Sequence, residues 1–181
     1  VFLDATPEGV QLYAKLGCVV DDAACAYTQR RSSTLGDALG CITMPFEPED
    51  LAKVISYDEG RLGSRRTRVL TSYSEDFADR IFIARDSQRV ITGYIMAQPH
   101  RLGPWLADTP HIAASLLQHA LRLSFSGPPQ VLVPQSNQAG RWLLERAGFV
   151  PERSWQSMRL GGSPDLGSRQ WLYGYANFYV G

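Results

Sequence analysis

The stretch Asn137-Gln138-Ala139-Gly140-Arg141-Trp142-Leu143-Leu144-Glu145-Arg146-Ala147-Gly148-Phe149 reads as a capped helix running into a strand. Asn137 is a side-chain cap, and Gly148 is a residue able to adopt the left-handed stop. The same layout opens the chain. Thr6-Pro7-Glu8 starts a helix that carries Val10, Tyr13, Ala14 and Leu16 inward and stops at Gly17. Gly17 and Gly148, Leu12 and Leu143, Gly9 and Gly140, and Thr6 and Asn137 are each 131 residues apart, about the length of a domain. Residues 1–31 are therefore expected to be the closing strand-helix-strand-strand elements of one unit. Residues 32–41 are expected to be a linker, since Arg30 to Gly40 lacks any clean period. Residues 42–181 then form a second unit. The opening Val1-Phe2-Leu3 lies inside an apolar run, which raises the expectation that the chain starts partway through a longer polypeptide.

Working outward, Cys18 to Val20 and Ala24 to Gln29 read as two strands, and Ile42 to Phe46 as another. Pro48-Glu49-Asp50 opens a helix with Leu51, Val54 and Ile55 on one face, and a second helix is expected over Leu62 to Tyr73. Arg80 to Ala84 and Val90 to Ala97 make a hairpin around the polar Arg85-Asp86-Ser87-Gln88. Trp105-Leu106 ends a short strand. Thr109-Pro110 begins a helix with Ile112, Ala113, Leu116, Leu117, Ala120 and Leu121 inward. Gln130 to Val133 is a strand, and two final strands fall around Ser154 to Leu160 and Trp171 to Tyr179. The second unit thus reads β-α-α-β-β-β-α-β-α-β-β, a mixed α/β fold with helices packed on a sheet.

Composition narrows the function. The chain has 181 residues, 44% hydrophobic and 20% charged, which suffices for a core without disulfides or metals. Lys plus Arg equals Asp plus Glu, so the basic excess of a general nucleic-acid binder is missing. No apolar run approaches the ~20 residues that span a bilayer. Cys18, Cys25 and Cys41 form no CxxC pair and lack histidines at metal spacing, which reads as reduced thiols in a cytoplasmic protein. His100, His111 and His119 share no metal-binding spacing.

The Asn137 to Phe149 phrase and the order of elements resemble the GCN5-related N-acetyltransferases, which commonly show Asn-x-x-small-x-x-Leu-Tyr-x-x-x-Gly-Phe at this place. Residues 1–31 resemble the same region of an upstream acetyltransferase, with Thr6 for Asn and Tyr13 at the Tyr position. Residues 42–181 resemble the second domain of tandem members, through Asp58, Leu62, Gly63 and Arg66, and through Leu102-Gly103-Pro104. The resemblance implies a mostly antiparallel mixed sheet flanked by helices. It also implies acetyl-CoA as co-substrate, a small-molecule amine as acceptor, and no metal. Nucleic acid and membrane are not implied as partners, and a homodimer is the candidate assembly.

Acetyl transfer needs a neutral amine, donors for the developing oxyanion, and a proton for the leaving thiolate. The resemblance makes Tyr13 the candidate proton donor, since a phenol with a reference pKa near 10 stays protonated at neutrality. The plain alternative is that its ring only packs against the preceding strand. The resemblance also places Thr6 and Asn137 on the cofactor side of their helices. The second unit departs from the family twice. Leu144 stands where Tyr13 stands in the first, and the usual Arg/Gln-x-x-Gly-x-Gly/Ala phosphate loop is replaced by Asp108-Thr109-Pro110-His111-Ile112-Ala113. Asp108 or Thr109 then reads as an ordinary cap. The expectation is a catalytic first unit and a supporting second one. A non-catalytic ligand-binding or dimerisation module of the same fold is the alternative. Arg61, Arg65, Arg66 and Arg68 read as a solvated helix face, with Arg66 pairing Asp58. Trp142 reads as core, and Trp171, Tyr173 and Tyr175 as an aromatic strand face.

Overall fold

The computed structural model describes residues 2–32, 42–161 and 169–176. The chain opens with β1 (Phe2–Ala5), α1 (Pro7–Lys15) and β2 (Val19–Gln29). It resumes with β3 (Ile42–Pro45), α2 (Leu51–Leu62), α3 (Thr67–Asp76), β4 (Ile81–Arg85), β5 (Ile91–Ala97) and β6 (Arg101–Ala107). It closes with α4 (Pro110–Ala120), β7 (Gln130–Pro134), α5 (Gln138–Arg146), β8 (Phe149–Arg159) and β9 (Leu172–Gly174). From β3 onward this is the order read from the sequence. Most of the expected linker, residues 33–41, lies outside the described residues, as do residues 177–179 of the last expected strand.

The 131-residue repeat is a repeat of structure. Helices α1 and α5 begin and end 131 residues apart. Thr6 Oγ1 accepts from Gly9 N–H and Asn137 Oδ1 from Gly140 N–H, the same cap on each helix. Gly17 and Gly148 stop them at φ +85° and +82°.

The repeats share one sheet, ordered β1-β8-β2-β7-β6-β5-β4-β3, with β9 on β6. Each repeat thus lends its long strand to the other, since β8 lies between β1 and β2, and β2 lies between β8 and β7. The β2–β8 ladder turns about Ala24↔Trp155, which are repeat equivalents. Its two bulges leave Asp21 and Glu152 unpaired, again equivalents. Each bulged carboxylate holds an arginine of the other repeat, Asp21 with Arg159 and Glu152 with Arg30. The two strands expected over Cys18 to Gln29 are therefore one strand. The polar Asp21-Asp22 pair that broke the pattern marks a bulge.

Two apolar clusters sandwich the sheet. One joins α4 and α5 to the sheet through Leu116, Leu117, Leu143, Leu144, Trp105 and Tyr173. The other joins α2 and α3 through Val54, Leu62, Leu70, Ile83, Tyr94 and Leu172. α2 stops at Gly63, in the left-handed region, so the second helix starts at Thr67 and not at Leu62. Arg66, ahead of it, is buried in a fork on Asp58, at 3.1 Å and 2.5 Å, and also reaches Tyr94. The expected Asp58–Arg66 pair is present. It is internal, so this part of the arginine run is not a solvated face.

Three side chains depart from expectation. Ala14 and Leu16 face outward on α1. Trp142 is 57% exposed, not core, because it falls on the outer face of α5, where the Arg146 guanidinium covers its ring at 4.8 Å.

Two outcomes follow. A fragment beginning at residue 42 leaves β7 and β8 without the strand between them. It is expected to show no cooperative thermal transition by circular dichroism until a peptide of residues 1–32 is added. Asp58→Ala strands a buried guanidinium and should cost about 3–5 kcal/mol in urea unfolding.

Candidate functional site

Two places carry the chemistry the sequence pointed to. The first is α1, where Tyr13 is half-buried and packs with Val10 against Ala5 of β1, Cys18 and Met158 of β8. Thr6 and Tyr13 are thus brought onto one helix, with a strand of the other repeat forming part of the floor. Asn137 does not join them, since it sits at the equivalent point of α5.

The surroundings of the two equivalent helices differ. Leu143 is 4% and Ala147 0% exposed beside α4, whereas their equivalents Leu12 and Leu16 are 59% and 63% exposed. β7 has β6 on its outer side, while among the described residues β1 ends the sheet. α1 and β1 thus present an apolar face and a strand edge that their counterparts have covered.

The second place is the start of α4. Thr109 caps the helix by accepting from Ile112 N–H at 3.3 Å, and Pro110 removes one of the free amides. Asp108 does not cap. Arg61 of α2 grips it with two hydrogen bonds, at 2.8 Å and 3.0 Å, and the Tyr57 hydroxyl donates to it at 2.8 Å. The Arg61 guanidinium lies over the Tyr57 ring at 4.9 Å and the Trp171 ring at 5.4 Å. Burial, then the Asp108 charge, pushes the Tyr57 phenol far above its usual range, so it keeps the proton it donates to Asp108. Arg61 is therefore not the solvated residue expected. Nothing in the sequence around Arg61 flagged it, because its partner is 47 residues away.

Asn137 is buried and fully engaged. Its oxygen caps α5, while its amide donates to the carbonyls of Gln170 at 3.1 Å and Leu172 at 2.9 Å. It fastens β9 into the sheet. There Tyr173 packs its ring on Trp105, with centroids 5.3 Å apart. Tyr175 packs instead against the cluster under α2 and α3, so the expected aromatic row is not formed, and Trp171 lies before the strand in a 3₁₀ turn. Among the described residues no metal-holding group of His, Cys, Asp or Glu occurs. No helix there is long and apolar enough to cross a membrane.

The family model described as "Acetyltransferase (GNAT) domain" matches residues 54–174, from α2 to β9. The chain belongs to the GNAT acetyltransferase family. Among solved structures it is similar to a Pyrococcus horikoshii protein assigned as an acetyltransferase, with TM-score 0.78 and 23% identity, covering 99% of this chain and 59% of that one. It is also similar to a GCN5-related N-acetyltransferase from Sphaerobacter thermophilus, with TM-score 0.65 and 16% identity, covering 87% of this chain and 57% of that one. A GNAT-family acetyltransferase from Colwellia psychrerythraea gives TM-score 0.56 at 13% identity, covering 87% and 63%. At these identities the likeness is one of fold. This GNAT chain spans about six-tenths of the length of the first two. No curated protein matches it.

For this GNAT chain, burial of Tyr173 pushes its phenol up to about 12. The unfolded phenol ionises near 10, so the stabilisation is complete below about pH 10 and is lost as pH rises through about 12. Tyr173→Phe should remove about 2 kcal/mol of the alkaline loss of stability. Urea midpoints on either side of that window measure it.

Proposed function

We propose that this chain serves an N-acetyltransferase that moves acetyl from acetyl-CoA to a small-molecule amine. Tyr13 is the proton donor, and residues 42–181 support the reaction without performing it. The observation carrying this reading is the contrast between the two equivalent helices. α1 has a tyrosine, an open apolar face and an open strand edge. α5 has Leu144, and the neighbouring α4 is capped by its own Thr109 behind the Asp108–Arg61 pair. A phosphate ligand at α4 would meet a carboxylate and a proline where it needs bare amides. The residues of the second repeat therefore do not fit acetyl-CoA.

In this reading residues 1–31 close an upstream acetyltransferase unit, residues 32–41 link, and residues 42–181 form the second unit. A strand beside β1 and a helix over Leu12 and Leu16 complete the first, as β6 and α4 complete the second. Acetyl-CoA supplies the activated acyl group. The chain's own part is to deliver the Tyr13 Oη proton to the departing sulfur, which stops the thiolate from re-attacking the amide. Thr6, at the exposed start of α1, lies on the cofactor side. β8 contributes Met158 to the apolar cluster on which Tyr13 packs, and so helps to hold the donor in place. The reaction releases neutral CoA thiol and an amide, and the proposed setting is the cytoplasm, among enzymes that modify small amines.

Tyr13→Phe, made in the polypeptide that contains the upstream unit, should lower kcat by at least about tenfold with little change in the KM for acetyl-CoA. Steady-state kinetics measure it, and an unchanged kcat removes Tyr13 from the mechanism.

A further inference from the structure

Strands β6 and β7 run parallel but pair only at Arg101↔Gln130 and Leu102↔Val131. Beyond that point the two strands make no further pair with each other, which leaves a gap in the ladder between them. Such a gap between strands accepts an extended chain bearing its own amides, which pairs as an added strand. The pantetheine arm of CoA, with its two amides, is a chain of that kind.

Here the protein's own chain fills the gap. β9 pairs with β6 at Trp105↔Gly174 and Leu106↔Leu172, and Tyr175 N–H donates to Leu132 C=O of β7 at 2.8 Å. Leu172 enters the cluster under α2 and α3, and Tyr173 enters the cluster under α4 and α5, so both faces of the gap are closed. The fit is tight in backbone terms. A Cβ on Gly103 would stand 2.1 Å from the Tyr175 carbonyl, and one on Gly140 would stand 3.2 Å from the Tyr173 ring. Asn137 holds two β9-side carbonyls, and Gln98 Nε2 donates to Ala176 C=O at 3.3 Å.

We propose that the segment Gln170–Ala176 is a self-ligand, latched by Asn137, that permanently occupies the cleft of the second repeat and closes it to acyl-CoA. This rests on the reading of residues 42–181 as a supporting unit and gives it a physical cause. The first repeat has no such plug among the described residues. The strand equivalent in sequence to β9 is β3, which lies at the opposite edge of the sheet from β1.

Hydrogen exchange on the 181-residue chain, with and without millimolar acetyl-CoA, tests the proposal. The amides of residues 172–175 should exchange as slowly as those of β2 and β8, and acetyl-CoA should change nothing at 102–106, 131–133 or 172–175. Saturable change at those positions overturns the plug. Asn137→Asp keeps the α5 cap but loses both donors to β9, and should speed exchange at 172–175 by at least about tenfold while β2 and β8 stay protected. Unchanged exchange at 172–175 overturns the latch. Asn137→Ser, an uncharged cap, carries the same comparison if the aspartate variant loses protection throughout. Failure of the transferase reading shows separately, as an unaltered kcat in Tyr13→Phe with the β9 amides still protected.

Discussion

Strand β2 has two backbone edges, and both are used by strands from the other end of the chain. On one side it pairs with β7, on the other with β8 along nearly its whole length. Buried amides left without partners would each cost about 1–3 kcal/mol, so β2 is a structural member of the second repeat as much as of the first. The exchange is mutual, because β8 fills the same role between β1 and β2. Other contacts between the repeats gather around this ladder, including the carboxylate–arginine pairs at the two bulges and the cluster of Ala5, Cys18 and Met158 on which Tyr13 packs.

The ladder also ties stability to the candidate chemistry. Tyr27 of β2 sits in the core of the second repeat and donates to Glu145 at 3.2 Å, while Arg141 donates to the Tyr27 hydroxyl at 3.3 Å. In return, β8 supplies the surface on which α1 rests. The second repeat in such an arrangement does more than sit beside the first. It forms part of the wall that sets where the Tyr13 ring can lie.

Local features of this organisation were legible in the sequence, and pairings at long range were not. The helices α1 and α5 were readable because cap, apolar spacing and left-handed glycine recur together at one offset. The order of elements from β3 to β8 was readable because most of them carry a period or boundary signals of their own. The position of β2 was not, since its partners lie more than a hundred residues away and a repeat suggests separate sheets. The Asp58–Arg66 pair was visible at a spacing of eight residues. Arg61 with Asp108 was not, because no local pattern marks a bond between a helix and the end of a strand. The role of Asn137 was half legible: its cap was expected, but its grip on β9 depends on a three-residue strand too short to show any period.

The paired bulges at Asp21 and Glu152 have a further consequence. A strand has two reading frames, odd and even, one for each face of the sheet. Met158 of β8 lies under α1, while Phe149 of the same strand lies in the cluster under α4 and α5. An even number and an odd number can share a face only if the frame is shifted between them. The unpaired Glu152 makes that shift in β8. Asp21 makes it in β2, between Val20, opposite Met158, and Tyr27, packed near α5. Deleting either residue would shorten the chain by little, yet it would turn one end of a strand over and send its apolar side chains to the wrong side. These two acidic residues therefore act as frame markers, allowing one strand to carry two helices that belong to different repeats.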